Sequence, residues 1–422
     1  MLFDGQRIVQ SSITGVVDLG TVPSVLVERV DVVTAGASAA WGSDAVAGVV
    51  NMVLNKQFDG FRASVDVGDT YAFDYRSYRA QAAYGTGFDD GRGRVIAAVN
   101  YQKSPDVVYA KQRKWNKFTN LVNNPAYTPD NSEPRYIHVD GVGIAQGTQG
   151  GLITGGPLKG IQFVGNGIPV PYNPGIGTTQ ITGGGDTDIM QAALNNIAVR
   201  FNTFSAFGYA SYELADWLKA SVQLNYGKSH SENNSTPAIR QGNLRIALDN
   251  AFLPQSIKDA AATWNAANPG DQIANIPFGT TNLNNMSLSD RWSPEYLAKA
   301  VGVPVALLDR TLKRGVVSLG GDLGSDWNWN AYYQYGKVHI YLRTDSNVIW
   351  SKLNDAIDAV RDPSSGAIVC RSTLTSPGNG CAPLNVFGVG VASPEAIKYV
   401  NVQNHENWQT QDLEQQVAAI SA

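Results

Sequence analysis

Few residues of this 422-residue sequence are spaced for catalysis. It lacks a Gly-x-x-x-x-Gly-Lys-Ser/Thr phosphate loop, a His-Glu-x-x-His zinc motif and a Gly-x-Ser-x-Gly nucleophile turn. Asp186 and Asp188 lie in a glycine-rich stretch, but two carboxylates are fewer than the roughly six to eight ligands that Ca²⁺ takes. The four histidines are far apart in the sequence: His138, His230, His339 and His405. We therefore predict no catalytic residue, no metal site and no cofactor, and we do not expect an enzyme.

Two cysteines, Cys370 and Cys381, lie close together in a stretch rich in proline and glycine. Such a pair fits a small loop closed by a disulfide in an oxidising compartment, in agreement with export through the periplasm. Two free thiols are an alternative. A metal site is a weaker one, because no histidine or further cysteine lies nearby in the sequence.

The charge of the chain gives no sign of a nucleic-acid partner. The formal net charge is -4, and one basic cluster stands alone, formed by Lys111, Arg113, Lys114 and Lys117. We interpret this cluster as a solvated loop. If that loop lies at a cell surface, the phosphates of lipopolysaccharide are an alternative partner for it.

The composition favours β-structure with an unusual surface. Charged residues make up 16%, below the roughly 25% of soluble domains. The 43 glycines, 18 tyrosines and 9 tryptophans favour turns, strands and interfacial rings. No window approaches the roughly 18 consecutive apolar residues that a transmembrane helix needs. A transmembrane β-barrel remains compatible with the mean hydropathy of -0.17, because its strands alternate lipid-facing apolar and lumen-facing polar residues.

Apolar and polar residues alternate with a period of two along much of the chain after residue 58, as expected for strands with two different faces. Each run is about as long as the roughly 9 to 11 residues that a tilted barrel strand needs to cross a bilayer. The clearest runs are 61–68, 78–85, 94–102, 218–227 and 327–336.

The connections alternate between short and long. Short polar links with an aromatic residue beside them occur at 89–93, 214–216 and 324–326, and long segments occur at 104–196, 231–309 and 344–404. Outer-membrane barrels have short periplasmic turns and long extracellular loops. We predict a mainly β fold: a partial, open, transmembrane antiparallel barrel of about seven to eight strands, the last at 407–422. Its long loops would contain short helices such as 293–300.

Residues 1–57 have a different character. The segments LFDGQRIV, VPSVLVERVDVV and TAGASAAWGSDAVAGVVNMVLNK resemble the C-terminal part of the plug domain of TonB-dependent receptors. The residues of the matching motifs are Val27, Glu28, Arg29, Val30, Gly36, Ser38, Trp41, Gly42, Ser43, Asp44, Gly48 and Asn51. The sequence departs from the family where Ala35-Gly36-Ala37 replaces Gly-Pro and Asn55-Lys56 replaces Thr-Lys. Glycines there would permit close packing against a barrel wall. The charged residues either engage a polar lumen or solvate a small sheet.

The resemblance implies a plug domain over residues 1–57 and the first part of a barrel over 58–422. In that family the whole receptor has a signal peptide, a TonB-contacting box, a complete plug and 22 strands, so we expect this chain to be a fragment. An eight-stranded barrel has no room for such a plug. The loop with Cys370 and Cys381 also looks like loops of some proteobacterial members.

The function implied is energised uptake of a scarce nutrient across the bacterial outer membrane, with membrane lipid, the TonB complex and a small molecule or metal chelate as partners. The nutrient classes are siderophore-iron, cobalamin, carbohydrate or similar. We expect aromatic loop residues to bind the ligand: Trp115, Tyr136, Trp292 and Trp350. The alternatives are a passive porin-like barrel and a secreted β-rich binding protein.

Overall fold

The computed structural model describes residues 1–34, 45, 48–178, 180–187, 195–234, 238–283, 305–322, 324, 327–402 and 407–422. The mainly β class is confirmed, with 51% of the residues in strands. Within these ranges no helix has both the length and the apolar character needed to cross a membrane. The predicted short helix at 293–300 lies outside the described residues.

Residues 1–57, which we call the plug segment, contain a four-stranded sheet. Its strands are β1 (Leu2–Phe3), β2 (Gln6–Arg7), β3 (Val27–Thr34) and β4 (Gly48–Leu54), in the order β2-β1-β4-β3. Two 3-10 turns, Leu19–Thr21 and Ser24–Leu26, precede β3. Gly48 begins β4 at φ +139°, and a Cβ there would lie 2.4 Å from the carbonyl oxygen of Val33. Only glycine fits this close approach.

The second sheet, which we call the wall, has eight antiparallel strands, each paired with the wall strands before and after it along the chain. They are β5 (Gly60–Gly68), β6 (Ser77–Phe88), β7 (Gly93–Ser104), β8 (Arg200–Ala215), β9 (Leu218–Asn234), β10 (Val305–Asp322), β11 (Asn328–Asp345) and β12 (Trp408–Ser421). The wall is open, because β5 and β12 are not paired with each other. The eight strands include all five runs that alternation predicts.

The two faces of the wall differ in polarity. One face packs against the plug segment, and we call the opposite one the outward face. Apolar side chains are exposed on it: Phe61, Val65, Tyr84, Val99, Leu224, Val317, Tyr333 and Ile420. Side chains on the plug-facing side, such as Gln223, Asn225 and Gln334, are polar and buried. This alternation is what the period of two in the sequence encodes.

The outward face changes from apolar to polar partway along the strands. A lysine marks the change on β7, β9, β10 and β11: Lys103, Lys228, Lys313 and Lys337. The strands continue well past this level, and β10 and β11 each have 18 residues. The lysines do not share one register row, because Lys103 lies two residues further toward the loop end than the partner of Lys228. A shift of this kind is expected where tilted strands cross a level plane.

At one end of the wall the connections are tight. Asp89 and Asp90 have φ values of 53° and 51°, and Gly91 follows at 92°, so three successive left-handed residues reverse the chain between β6 and β7. Aromatic rings lie beside this turn, where Phe88 stacks on Tyr212 with centroids 6.0 Å apart. We call this the turn end of the wall and the opposite one the loop end.

The three long connections at the loop end pack into one body, which we call the loop domain. It contains 105–199, 238–283 and 346–402 where these are described. Its helices are α1 (Gln255–Ala267), α2 (Trp350–Ile357), α3 (Arg371–Thr375) and α4 (Pro394–Val400), and a 3-10 turn covers Ala110–Gln112. Its strands are Val108–Tyr109, Asn120–Asn123, Tyr136–Val139, Gly143–Ile144, Leu152–Ile153, Ile161–Val164, Ile168–Pro171, Ile176–Gly177, Ile181–Gly183, Asn196–Ala198, Arg240–Ala247, Asn275–Thr280, Ala359–Arg361 and Ile368–Cys370.

All three segments contribute to one apolar core in this domain. A five-stranded sheet joins the first segment to the second, where Leu152 pairs with Gly279 and Ile153 with Phe278. The rings of Phe163, Phe278 and Phe387 come one from each segment and lie with centroids 5.0 to 6.0 Å apart. The three long connections therefore share a core, although they are far apart in the sequence.

Candidate plug and wall interface

The plug segment packs on the wall through an apolar patch near the turn end. Phe3 meets Phe207 of the wall edge to face, with ring centroids 6.2 Å apart. Other buried members come from both sides of the contact: Val22, Val25, Leu26 and Leu54 from the plug segment, with Ala83, Ile96 and Ala98 from the wall, and Phe58 from the link between the two. Burial of these apolar side chains stabilises the contact through the hydrophobic effect, which does not depend on direction.

A buried arginine of the wall forms the polar centre of the interface. Arg314 on β10 is only 3% exposed. Its Nε donates to Gln334 Oε1 at 2.9 Å, Nη1 donates to Asn225 Oδ1 at 3.1 Å, and Nη2 donates to Gln6 Oε1 of the plug segment at 2.8 Å. The guanidinium also lies over the Phe3 ring, 5.6 Å from its centroid. Its three hydrogen-bond acceptors are thus neutral amides, one of them from the plug.

Further hydrogen bonds join the plug segment to the wall. Gln334 Nε2 donates to the carbonyl oxygen of Arg7 at 2.7 Å. Ser229 Oγ donates to Asp18 Oδ2 at 3.0 Å, while Asp18 Oδ1 accepts the Gly20 N–H and caps the first 3-10 turn. Among the residues that the structure describes, no carboxylate forms a salt bridge with Arg314, so the polar part of the interface consists of hydrogen bonds.

Glycines on the plug-facing side of the wall let the plug approach closely. A Cβ on Gly227 would lie 2.5 Å from Thr21 Cγ2, and one on Gly336 would lie 3.0 Å from Val9 Cγ1. Such distances leave no space for a larger side chain without movement of the plug. The plug segment and these strands therefore fit each other closely.

The predicted plug motif is only partly within the described residues. Val27, Glu28, Arg29 and Val30 lie on β3, and Gly48 and Asn51 lie on β4. Arg29 pairs with Asp31 at 3.1 Å, and their side chains are 60% and 43% exposed. Asn51 Oδ1 accepts the Gly5 N–H at 2.9 Å. The remaining motif residues lie outside the described part of the chain: Gly36, Ser38, Trp41, Gly42, Ser43 and Asp44.

This segment has a counterpart among known families. Residues 1–49 match the family model described as the TonB-dependent receptor plug domain. The first part of the chain is therefore similar to the plug domain of TonB-dependent receptors. The members of this family are receptors and transporters and not enzymes.

Solved structures of two such receptors are similar to this chain. One is a mutant ferric enterobactin receptor of Pseudomonas aeruginosa in complex with enterobactin, at 12% identity and a TM-score of 0.41, over 87% of this chain and 36% of that one. The other is the ferripyoverdine receptor of the Pseudomonas aeruginosa outer membrane, bound to ferripyoverdine, at 10% identity and a TM-score of 0.34. That match covers 82% of this chain and 37% of the other. The chain thus spans little more than a third of the length of these two receptors.

Of the four aromatic residues predicted to bind a ligand, the structure describes three, which lie in two different segments of the loop domain. Trp115 and Tyr136 are exposed in the first segment of the loop domain. Trp350 begins α2, and the Arg240 guanidinium lies 3.6 Å from the centre of its ring. Trp292 lies outside the described residues. No ring stacking joins any two of the three that the structure describes.

The basic cluster at the start of the loop domain is only partly solvated. Arg113 forms a bidentate ion pair with Asp74, in the β5–β6 connection, and one of its two contacts measures 2.9 Å. Hydrogen bonds from Arg113 lower the pKa of Asp74. Lys117 keeps a longer contact with Asp140, at 3.6 Å, and burial lowers the pKa of Lys111. The expected solvated loop is therefore wrong for Arg113, which fastens the first wall hairpin to the loop domain.

Cys370 and Cys381 form a disulfide in the third segment of the loop domain. Arg371, next in sequence, bridges two carboxylates: Nε donates to Asp358 at 3.0 Å and Nη2 to Asp249 at 2.7 Å. These hydrogen bonds raise the pKa of Arg371. Because Asp249 belongs to the second segment, one side chain ties two segments together beside the disulfide.

Histidines and carboxylates do not gather into a catalytic or metal-binding set. In the described part of the chain, no three His, Cys, Asp or Glu side chains are grouped to hold a metal ion. His230 lies between Asp309 and Glu232 on the outward face, and His339 contacts Asp412. Asp186 Oδ2 accepts the Asn173 N–H at 2.8 Å and so fastens its own loop.

Proposed function

We propose that the intact receptor takes up a scarce nutrient across the bacterial outer membrane, energised through TonB. In this proposal residues 1–57 belong to the plug and 58–422 to the barrel wall with its loops. The loop domain lies outside the cell and the turn end faces the periplasm. The nutrient is a small molecule or metal chelate, such as siderophore-iron, cobalamin or a carbohydrate.

The observation that carries this proposal is the contact between plug and wall at Arg314. A passive porin needs no segment hydrogen-bonded to the inside of its wall. A plug that moves during transport needs an interface that opens at a small cost in free energy. Hydrogen bonds from Arg314 to Gln6, and from Gln334 to the Arg7 carbonyl, suit that need because water can replace them.

The outward face supports the membrane location and disfavours a secreted soluble protein. Large apolar side chains such as Phe61 and Ile420 are more than two-thirds exposed there. A patch of this extent on a soluble monomer would be an aggregation site. Lipid would cover it.

The experiment measures uptake by a deletion strain that expresses the full-length receptor, in the presence and absence of TonB. Labelled ferric siderophores, cobalamin and carbohydrates are tested as separate arms. We expect one class to be imported only when TonB is present. Equal import without TonB would favour the passive porin. A full-length protein that stays monodisperse without detergent would favour the secreted binding protein.

A further inference from the structure

A groove of about 520 Å³ lies on the loop domain, between the strand Arg240–Ala247 of the second segment and the helix α2 of the third. The strand is the last one of the five-stranded sheet. Ala247 and Ile357 give the groove an apolar part. Its volume lies within the range of roughly 300 to 1,000 Å³ that small-molecule sites have in proteins.

The alternation of the strand places polar side chains at this groove. Leu244 and Ile246 belong to the apolar core of the domain and are 4% and 1% exposed. Successive side chains of a strand point to opposite faces, so Asn243 and Arg245 point away from the core. Both are exposed and line the groove.

Two further asparagines line the groove from other elements. Asn275 lies on the neighbouring strand, where it pairs with Ala247. Asn354 is exposed on α2. Three amides and one guanidinium thus meet at one groove, although they come from three elements of the fold. We call these four the groove side chains: Asn243, Arg245, Asn275 and Asn354.

The groove side chains have no hydrogen-bond or ion-pair partner among the residues that the structure describes. Other asparagines of the loop domain fasten their own loops. Asn131 Nδ2 donates to the carbonyl oxygen of Ala126 at 2.6 Å, and Asn265 Oδ1 accepts the Ile273 N–H at 2.8 Å. Each asparagine amide offers two donors and an acceptor, and a guanidinium offers five donors. These groups remain available to a ligand in the groove.

The charges at the groove are balanced. Arg371 and Asp358 also line it, and Arg371 donates to Asp358 at 3.0 Å and to Asp249 at 2.7 Å. With Arg245, two cations therefore stand against two carboxylates. A strongly anionic ligand would be attracted by Arg245 but repelled by the carboxylate in excess at Arg371. The balance favours a ligand without net charge.

An aromatic ring lies beside the groove on the same helix. Trp350 precedes Asn354 by four residues, which places both on one side of α2. The tryptophan is 41% exposed, and the Arg240 guanidinium stacks on its ring. A sugar ring has apolar C–H faces and polar hydroxyl edges. Apolar surface next to free amides matches both parts of such a ligand.

We propose that this groove binds a neutral carbohydrate, whose hydroxyl groups hydrogen-bond to the groove side chains while an apolar ring face lies against Ile357 and Ala247. A hydroxyl group both donates and accepts, so neighbouring hydroxyls satisfy both halves of an amide. A carboxylate ion only accepts and would leave the amide oxygens unpaired. The inference rests on the proposed function and narrows its nutrient to a carbohydrate.

The test titrates the full-length receptor, purified in detergent, with neutral hexose oligosaccharides and with uronate oligosaccharides, and calorimetry measures the affinity. We expect a neutral oligosaccharide to bind. Asn243→Ala with Asn354→Ala should lower its affinity on the order of tenfold, because two sets of hydrogen bonds are lost. The affinity of the wild type should not change between about 0.05 and about 0.5 M salt, since screening acts on charged ligands.

The matched control is Asn166→Ala, an exposed asparagine in the turn between the strands Ile161–Val164 and Ile168–Pro171. It should leave the affinity unchanged. The thermal midpoint should be the same in all variants, because the groove side chains have no partner in the fold. Equal affinity in the wild type and the groove variant would overturn the inference. Binding limited to uronates and weakened by salt would overturn it too, as would a wild type that binds no oligosaccharide.

Uptake of the bound oligosaccharide separates this inference from the proposed function. A deletion strain that expresses the full-length receptor is compared with and without TonB. Binding at the groove with equal uptake in both strains would contradict the energised transport and leave the groove assignment intact. TonB-dependent uptake of a ferric siderophore by a receptor that binds no oligosaccharide would contradict only the inference drawn from the groove.

Discussion

In the wall, Phe61, Val65 and Ile420 point away from the protein and are 71%, 78% and 79% exposed, whereas in the loop domain Phe163 and Phe278 are 1% and 0% exposed. The wall leaves its apolar surface to be covered by the surroundings, while the loop domain buries its own. One chain thus contains a part with an exposed apolar face and a part with a buried apolar core. The four predictions below test how independent the two parts are.

The largest effect is expected from Phe278→Ala in the loop domain. Phe278 packs against Phe163 and Phe387 at 6.0 and 5.3 Å, and a cavity there should lower the free energy of unfolding of the domain by about 3 to 5 kcal/mol. Hydrogen exchange of amides in α1 and α2 measures the change. The control is Leu224→Ala on the outward face, where the removed atoms contact the detergent. A similar loss of unfolding free energy in both variants would contradict the difference in environment between the buried Phe278 and the exposed Leu224.

Removal of the disulfide by Cys370→Ser with Cys381→Ser should have the next largest effect. The two cysteines are 11 positions apart, and closing a loop of that size contributes about 3 kcal/mol in the chain-entropy account. We expect faster proteolysis of the loop domain and no change in the protection of the wall strands. Loss of protection in β10 and β11 would show that the wall depends on the loop domain.

Arg314→Ala should lower the free energy that holds the plug segment on the wall by about 2 kcal/mol, because the substitution leaves buried amide oxygens without hydrogen-bond donors. The measurement is hydrogen exchange at residues 2–9, which should become faster while the loop domain is unchanged. Val317→Ala is the control, since it removes atoms from the opposite face of the same strand. Unchanged exchange in the Arg314 variant would mean that the apolar patch around Phe3 alone holds the plug.

The smallest effect is a pH dependence at Asp74, in the connection at the loop end. Because hydrogen bonds from Arg113 lower its pKa, the pair stabilises the folded state at pH above the ordinary value of about 4. That stabilisation, about 1 kcal/mol for a partly exposed pair, is lost as pH falls through the lowered pKa. Asp74→Asn should therefore reduce the thermal midpoint at pH 6, and this difference should become smaller as the pH falls through the lowered pKa of Asp74. A difference that stays constant as the pH falls would exclude titration of Asp74 as the cause.

The sequence predicts the wall well because its signal is local. In β9, Leu218 to Gly227 alternate strictly, and both neighbours along the chain pair with that strand. The prediction stops short at Gly227, because beyond it polar residues such as Lys228 occupy both faces and the period of two disappears. The strand itself continues to Asn234.

The loop domain and the interface are not predictable in the same way, because their contacts join residues far apart. Leu152 pairs with Gly279, and Arg314 donates to Gln6, which is 308 positions earlier in the chain. One local signal for Arg314 exists: a charged residue at a plug-facing position of a strand that crosses a membrane is a functional candidate. Ligand binding by Trp115, Tyr136 and Trp350 stays a prediction, because the structure contains no ligand that would test it.

Because the three segments share one core, they cannot be exchanged independently of one another. Phe163, Phe278 and Phe387 each come from a different segment, so a loop transplanted alone from another receptor would arrive without its packing partners. Chimeras should therefore exchange all three connections together. For the same reason, we expect substitutions in the loop domain to be tolerated where the side chain points away from the shared core. Substitutions of side chains that point into the core should require compensating changes in the other segments.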